Sequence, residues 1–146
     1  MEKVIDKFRG EYAFLSNFAP CKVTYNGRTY RTVEHAFQAA KSLDEMEQKI
    51  FLFVSDPAEA KRWGRQVHLR PDWEKVKENV MKDLLKQKFN NLKYKEKLLA
   101  TENNTLIEGN NHKDTYWGVC NGIGKNRLGI LLMEVRDELR KENLND

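Results

Sequence analysis

The chain has 146 residues, of which 40% are hydrophobic and 33% charged, a balance that suits one soluble globular domain with its own core. No apolar run approaches the roughly 18 residues of a membrane-spanning helix, and the opening Met1–Phe8 segment has no apolar signal core, so a cytoplasmic protein is expected. Cys21 and Cys120 form no ligand pair and His35, His68 and His112 are scattered, so free thiols, no metal and no cofactor are expected. The net charge of +4 leans toward anionic partners. The lysines, however, alternate with glutamates along helical stretches, the pattern of solvated faces rather than of a nucleic-acid-binding patch.

Residues 8–20 mix aromatics with Gly, Ser, Asn and Pro and read as an ordered loop. Within it Ser16, Asn17 and Phe18 set polar groups between aromatics, a composition that lines a pocket for a planar ring or simply packs the loop on itself. Residues 21–32 form a β-hairpin, with Asn26-Gly27 supplying the two positive-φ positions of a type I′ turn. A helix follows from Thr32, whose hydroxyl is a usable N-cap. Asp44 and Glu47 then mark a helix start with Ile50, Leu52, Phe53 and Val54 as core. Asp56-Pro57 marks another, ending at Gly64 beside Trp63 and Arg65. Arg70-Pro71-Asp72 opens the longest helix, whose stripe is Trp73, Val76, Val80 and Leu84. A short helix at 92–100 carries Leu98 and Leu99. The last helix buries Leu128, Leu131, Leu132, Val135 and Leu139. The fold class is therefore α+β, mainly helical, with one or two small β elements.

Two stretches hold the candidate chemistry. In the 33–41 helix, Glu34, Gln38 and Lys41 fall at i, i+4 and i+7, so a carboxylate, an amide and an amine form one row flanked by alanines and Phe37. An exposed row whose charges suit the helix dipole has the same pattern. In residues 105–126, Gly109, Gly118, Gly122 and Gly124 alternate with Glu108, Asp114 and Trp117. The Gly122–Asn126 segment precedes a helix, where backbone N–H groups can approach an anion; it can equally be a plain turn.

Together these stretches resemble the NADAR, or YbiA-like, family. The matching pieces are Phe14–Phe18, the Val33–Lys41 helix, Gly64-Arg65, Arg70–Trp73, Leu106–Glu108, Asp114–Gly118 and Gly124–Gly129 with Leu132–Arg136. They occur in the family's order and cover nearly the whole chain. One departure is Glu108-Gly109-Asn110, where a small Ala-Ser pair is expected. The resemblance implies one YbiA-like domain over 1–146 and an N-glycosidase activity. The bond cut would join ribose C1 to an exocyclic base nitrogen, in phosphoribosylamine intermediates of riboflavin synthesis or in ADP-ribosylated guanine of nucleic acid. It places the family's catalytic lysine on Lys41, its glutamate on Glu34 and its aspartate on Asp114.

The residue types suit that reaction. A neutral lysine amine can attack C1 of a ring-opened ribosylamine and form a Schiff base that water resolves. Carboxylates can move the protons, although Glu34 lies about 10 Å from Lys41 along the helix axis. Phe18 and Trp117 can stack on a base. Arg65, Gly124 and Asn126 can take phosphate, with Arg9 a further candidate. Ser16, Asn17, Gln38, Glu108 and Gly118 complete the expected substrate-binding set. A non-catalytic module that only binds ADP-ribose or a nucleotide is the alternative.

Overall fold

The structure, a computed structural model, describes residues 3–144. The chain divides into two compact units, Asn17–Lys88 and a second one built from the residues before Asn17 together with those from Phe89 onward. Both are mainly helical with small two-stranded sheets, so the α+β class holds. No described helix is long and apolar enough to cross a membrane.

The Asn17–Lys88 unit starts with the expected hairpin. Strands β2 (Val23–Tyr25) and β3 (Arg28–Tyr30) pair antiparallel, and Asn26 and Gly27 take φ of 51° and 77° in the turn. Helix α1 (Val33–Ala40) follows, capped by the Thr32 hydroxyl, which accepts from the His35 N–H. Helices α2 (Glu45–Phe53) and α3 (Pro57–Trp63) both pack on α1, and α4 (Trp73–Phe89) runs to the unit boundary. All eight residues of α1 are buried. Its Phe37 ring meets Trp73 with centroids 5.0 Å apart, which puts Trp73 in the core as its stripe predicts.

Two local expectations change. Asp44 does cap α2 through the Met46 N–H, but Glu47 does not turn back to close a capping box. The Asp44 N–H goes to the Ser42 hydroxyl instead, and Glu47 takes the Ser42 O–H and the His68 backbone N–H. Phe53, expected in the core, is 83% exposed, while Phe51 on the opposite side of the helix is fully buried.

His35 ties α1 to Val54, the residue that ends α2. It is fully buried, its Nε2 lies 2.9 Å from the Val54 carbonyl and its Nδ1 lies 2.7 Å from the Thr32 hydroxyl. A carbonyl only accepts, so Nε2 carries a proton, and burial favours the form of the ring that has no second one. Burial is the main cause that pushes its pKa below 6.5. A depressed folded-state value means that the unfolded chain binds the proton first. The contribution is complete above pH 6.5 and is lost as pH falls below it. Urea midpoints measured from pH 8 to pH 5 should therefore fall in the native chain and fall less steeply in His35→Gln, which is weaker throughout. Equal slopes would remove His35 from the acid response.

The second unit joins sequence-distant pieces. Strand β1 (Val4–Ile5) pairs in parallel with β4 (Thr105–Leu106), and β5 (Gly109–Asn110) pairs in parallel with β6 (Val119–Cys120). A 3-10 helix (Gly10–Leu15), α5 (Leu92–Leu99) and α6 (Arg127–Leu144) complete it. The predicted α6 stripe of Leu128, Leu131, Leu132, Val135 and Leu139 is buried. Arg136 is buried within the same helix and donates to the Thr101 hydroxyl and the Asn104 carbonyl.

Candidate active site

Helix α1 carries the reactive row in the Asn17–Lys88 unit. Glu34 is 7% exposed and Gln38 4%, so this row is not a solvated face. Burying a carboxylate and an amide costs stability, which makes the pair hard to account for by packing alone. Lys41 stands at the C-terminal end, half-buried, with its carbonyl accepting from the Arg70 N–H at 2.7 Å. Its pKa is lowered, first by burial; Glu34 works against that shift, and Arg65 and Lys61 add to it. Glu34 is thus within electrostatic reach of the amine despite its place one end of the helix away. Lys61, in the last turn of α3, belongs to this cluster and has no sequence signal beyond its charge.

A second lysine in this unit also loses proton affinity. Lys88 is fully buried, and burial brings its pKa to about 7, with Cys21 acting in the opposite direction. A fully enclosed amine cannot meet a substrate, whereas Lys41 retains access to solvent. Reach therefore separates the nucleophile candidate from a structural lysine. Cys21 and Cys120 are both free thiols.

Asn17 links the loop to α1. Its carbonyl accepts from the Glu34 N–H at 3.1 Å, its Nδ2 donates to the Met81 sulfur at 3.6 Å, and its buried Oδ1 has no hydrogen-bond partner among the described residues. Phe18 beside it is 39% exposed. In the other unit Ser16 ends the 3-10 helix, with its N–H donating to the Ala13 carbonyl.

The 105–126 stretch is held by side-chain amides. Asn110 Nδ2 donates to Glu108 Oε2 at 2.9 Å and to the Asp114 carbonyl at 2.9 Å, while its Oδ1 accepts from the His112 and Asp114 N–H groups. Asp114 Oδ1 in turn accepts from the Tyr116 and Trp117 N–H groups at 3.1 and 2.9 Å. That carboxylate shapes the turn bearing Trp117, whose ring meets Tyr116 edge-on at 4.9 Å. Asn110 is the hub that sequence reasoning missed. Gly118 is buried against Glu108: a Cβ there would lie 2.2 Å from the Glu108 carbonyl oxygen.

The Gly122–Asn126 segment differs from an open anion cradle. The N–H groups of Lys125, Arg127 and Leu128 donate to the carbonyls of Thr115, Tyr116 and Trp117, and that of Asn126 to Gly118. Carbonyls already fill the positive end of α6. The Asn126 side chain is equally occupied, accepting from the Glu108 N–H and donating to the Leu106 carbonyl. Gly124 has φ of 155°, and a Cβ on it would lie 2.1 Å from the Gly118 carbonyl oxygen, so close backbone packing explains the glycine. These two residues, expected at phosphate, are engaged in holding their loop, and the exposed cation that acts on the Lys41 amine is Arg65.

Among the described residues no group of three or more His, Cys, Asp or Glu side chains could hold a metal ion.

Comparison with known proteins gives the class. The chain is 45% identical over 136 residues to N-glycosidase YbiA of Shigella boydii, covering 90% of this chain and 84% of that protein. A riboflavin biosynthesis protein of Vibrio vulnificus is 38% identical over 134 residues, which span 89% of this chain and 36% of that longer protein. The NMR structure of Escherichia coli YbiA, 42% identical, matches with a TM-score of 0.86 over 100% of this chain and 90% of that one. The model of the NADAR domain matches residues 6–140, and the chain belongs to the NADAR family.

Proposed function

We propose that this chain is an N-glycosidase that cuts the bond from ribose C1 to an exocyclic base nitrogen, with Lys41 as nucleophile. It is an enzyme, a hydrolase of N-glycosyl compounds, as its curated relatives are. The observation that carries the reading is the state of Lys41: an accessible amine that burial, Arg65 and Lys61 push toward neutrality, on a helix with a buried carboxylate. A reader of nucleotides needs no such amine. The family match spans both units, which supports a single NADAR domain.

The reaction follows from that chemistry. The ribosylamine opens to an imine at C1. The neutral Lys41 amine adds to C1, the Glu34 carboxylate carries the protons of the lysine nitrogen to the base nitrogen, and the base amine leaves, giving an imine between Lys41 and the sugar. Glu34 then takes a proton from water as the water adds to C1. Collapse frees the sugar aldehyde, which closes to ribose phosphate, and returns Lys41. Arg65 and Lys61 hold the phosphate by charge. In the other unit Asp114 acts by fixing the turn of Trp117, and Glu108, Gly118, Gly124 and Asn126 keep that loop in shape. Asn17 and Phe18 recognise the substrate beside α1, and Ser16 leads into that segment. No cofactor enters, and the setting is cytoplasmic.

Two substrate classes contain this bond. The Vibrio vulnificus relative, named for riboflavin biosynthesis, favours a phosphoribosylaminopyrimidine over ADP-ribosylated guanine. Supplying both to the enzyme and measuring free ribose 5-phosphate against free ADP-ribose decides between them. Tight binding with no release from either would leave a non-catalytic binding module. Arg65→Gln and Lys61→Gln should each raise KM about tenfold, the worth of one charge-assisted hydrogen bond. An unchanged KM in both variants would move the phosphate elsewhere.

A further inference from the structure

Gln38 and Gly64 are packed as a pair. Gly64 ends α3 with φ −59° and ψ −20°, ordinary helical values that any residue adopts. Space, not conformation, demands the glycine. A Cβ at position 64 would stand 1.9 Å from Gln38 Oε1, 2.7 Å from its Cδ and 3.3 Å from its Cβ. The whole Gln38 side chain therefore lies across the bare Cα, with its oxygen where a methyl group would be. That oxygen is buried and has no hydrogen-bond partner among the described residues. A buried acceptor in this state is a cost to the fold. Gln38 lies one turn after Glu34 and three residues before Lys41 on the same helix face.

We propose that Gly64 is a positioning residue: its bare Cα seats the Gln38 amide oxygen and so turns the amide N–H2 end toward a ribose oxygen next to C1, beside Lys41. The assignment rests on the N-glycosidase reading with Lys41 at C1. It gives Gln38 the role of a donor to the sugar and gives Gly64 no contact with substrate. A methyl group at position 64 rotates the amide away and leaves the amine in place. Misplacement of a substrate-positioning group by about 1 Å costs on the order of 10²-fold in rate.

Four proteins test it on the ribosylamine phosphate: the native chain, Gly64→Ala, Gln38→Ala and the double variant. Gly64→Ala should lose about 10²-fold in kcat with KM changed far less. The double variant should be no slower than Gln38→Ala alone, because the clash has gone. Gln38→Asn, which keeps the amide but is one methylene too short to reach the seat, should lose kcat as well; it carries the test if Gly64→Ala folds poorly. The side-chain amide signals of Gln38 in NMR spectra should shift in Gly64→Ala without any substrate. A native kcat in Gly64→Ala or in Gln38→Asn overturns the assignment, as do unmoved Gln38 amide signals or losses that multiply in the double variant. A native chain that releases no sugar from either substrate class would instead sink the N-glycosidase reading itself.

Discussion

Borohydride added during turnover should leave a reduced sugar phosphate on Lys41, found as a mass gain on the peptide that contains it. Lys41→Ala should lose the adduct and activity by at least the 10²–10⁴-fold range that one catalytic group supplies. It should remain folded, because a lysine that keeps access to solvent contributes little to stability. Lys41→Arg should be as inactive, since guanidinium keeps its proton at neutral pH and cannot attack C1. The pH profile offers an independent check. Only the neutral amine attacks, so kcat/KM should rise with pH through the Lys41 pKa, below the 10.5 of an unperturbed lysine. Arg65 lowers that pKa. Its replacement by Gln should therefore shift the rising limb to higher pH, in addition to any effect on KM. Glu34 raises it, so Glu34→Gln should shift the limb to lower pH while slowing the reaction. An adduct on another lysine, or an active Lys41→Arg, would redirect attention to a water activated by Glu34.

What could be read in the sequence was local. Asn26-Gly27, the Thr32, Asp44 and Asp56 caps and the α6 stripe each depend on neighbours a few residues away, and each appears as expected. The parallel pairs β1 with β4 and β5 with β6 were illegible. Strands of two residues have no periodicity, and Val4 meets Thr105 from the far end of the chain. The row on α1 was legible as a row but not as buried, because spacing gives a face and not its surroundings. Phe53 fails for the same reason: α2 has one buried side, and a run of Ile50, Phe51, Leu52 and Phe53 does not say which. The Gly122–Asn126 segment looked like an anion site because the amide donors of a helix start are visible in sequence. The carbonyls of 115–118 that occupy them are not.

Asn126→Gly and Asn126→Ala should both unfold at lower urea concentration than the native chain, the alanine variant at the lower of the two. Asn126 joins β4 to the start of α6. Its Oδ1 accepts from the Glu108 N–H and its Nδ2 donates to the Leu106 carbonyl, both at 2.9 Å. Removing the side chain leaves two partly buried backbone groups without that partner, a loss of about 2 kcal/mol after water takes a share. Asn126 also sits at φ 53°, a left-handed position. Glycine tolerates it, whereas alanine adds about 1 kcal/mol of backbone cost. Gly129, one turn into α6, is part of the same joint: a Cβ there would lie 2.1 Å from the Leu106 carbonyl oxygen and about as close to the Asn126 amide, at 2.4 Å from Nδ2 and 2.5 Å from Oδ1. Gly129→Ala should therefore cost more than either Asn126 variant, because a backbone carbonyl cannot swing aside as a side chain can. Hydrogen exchange locates the effect. In Asn126→Gly the Glu108 amide should lose protection before the amides of α1 do. Loss of protection spread evenly over both units would mean that Asn126 supports the whole fold rather than this joint.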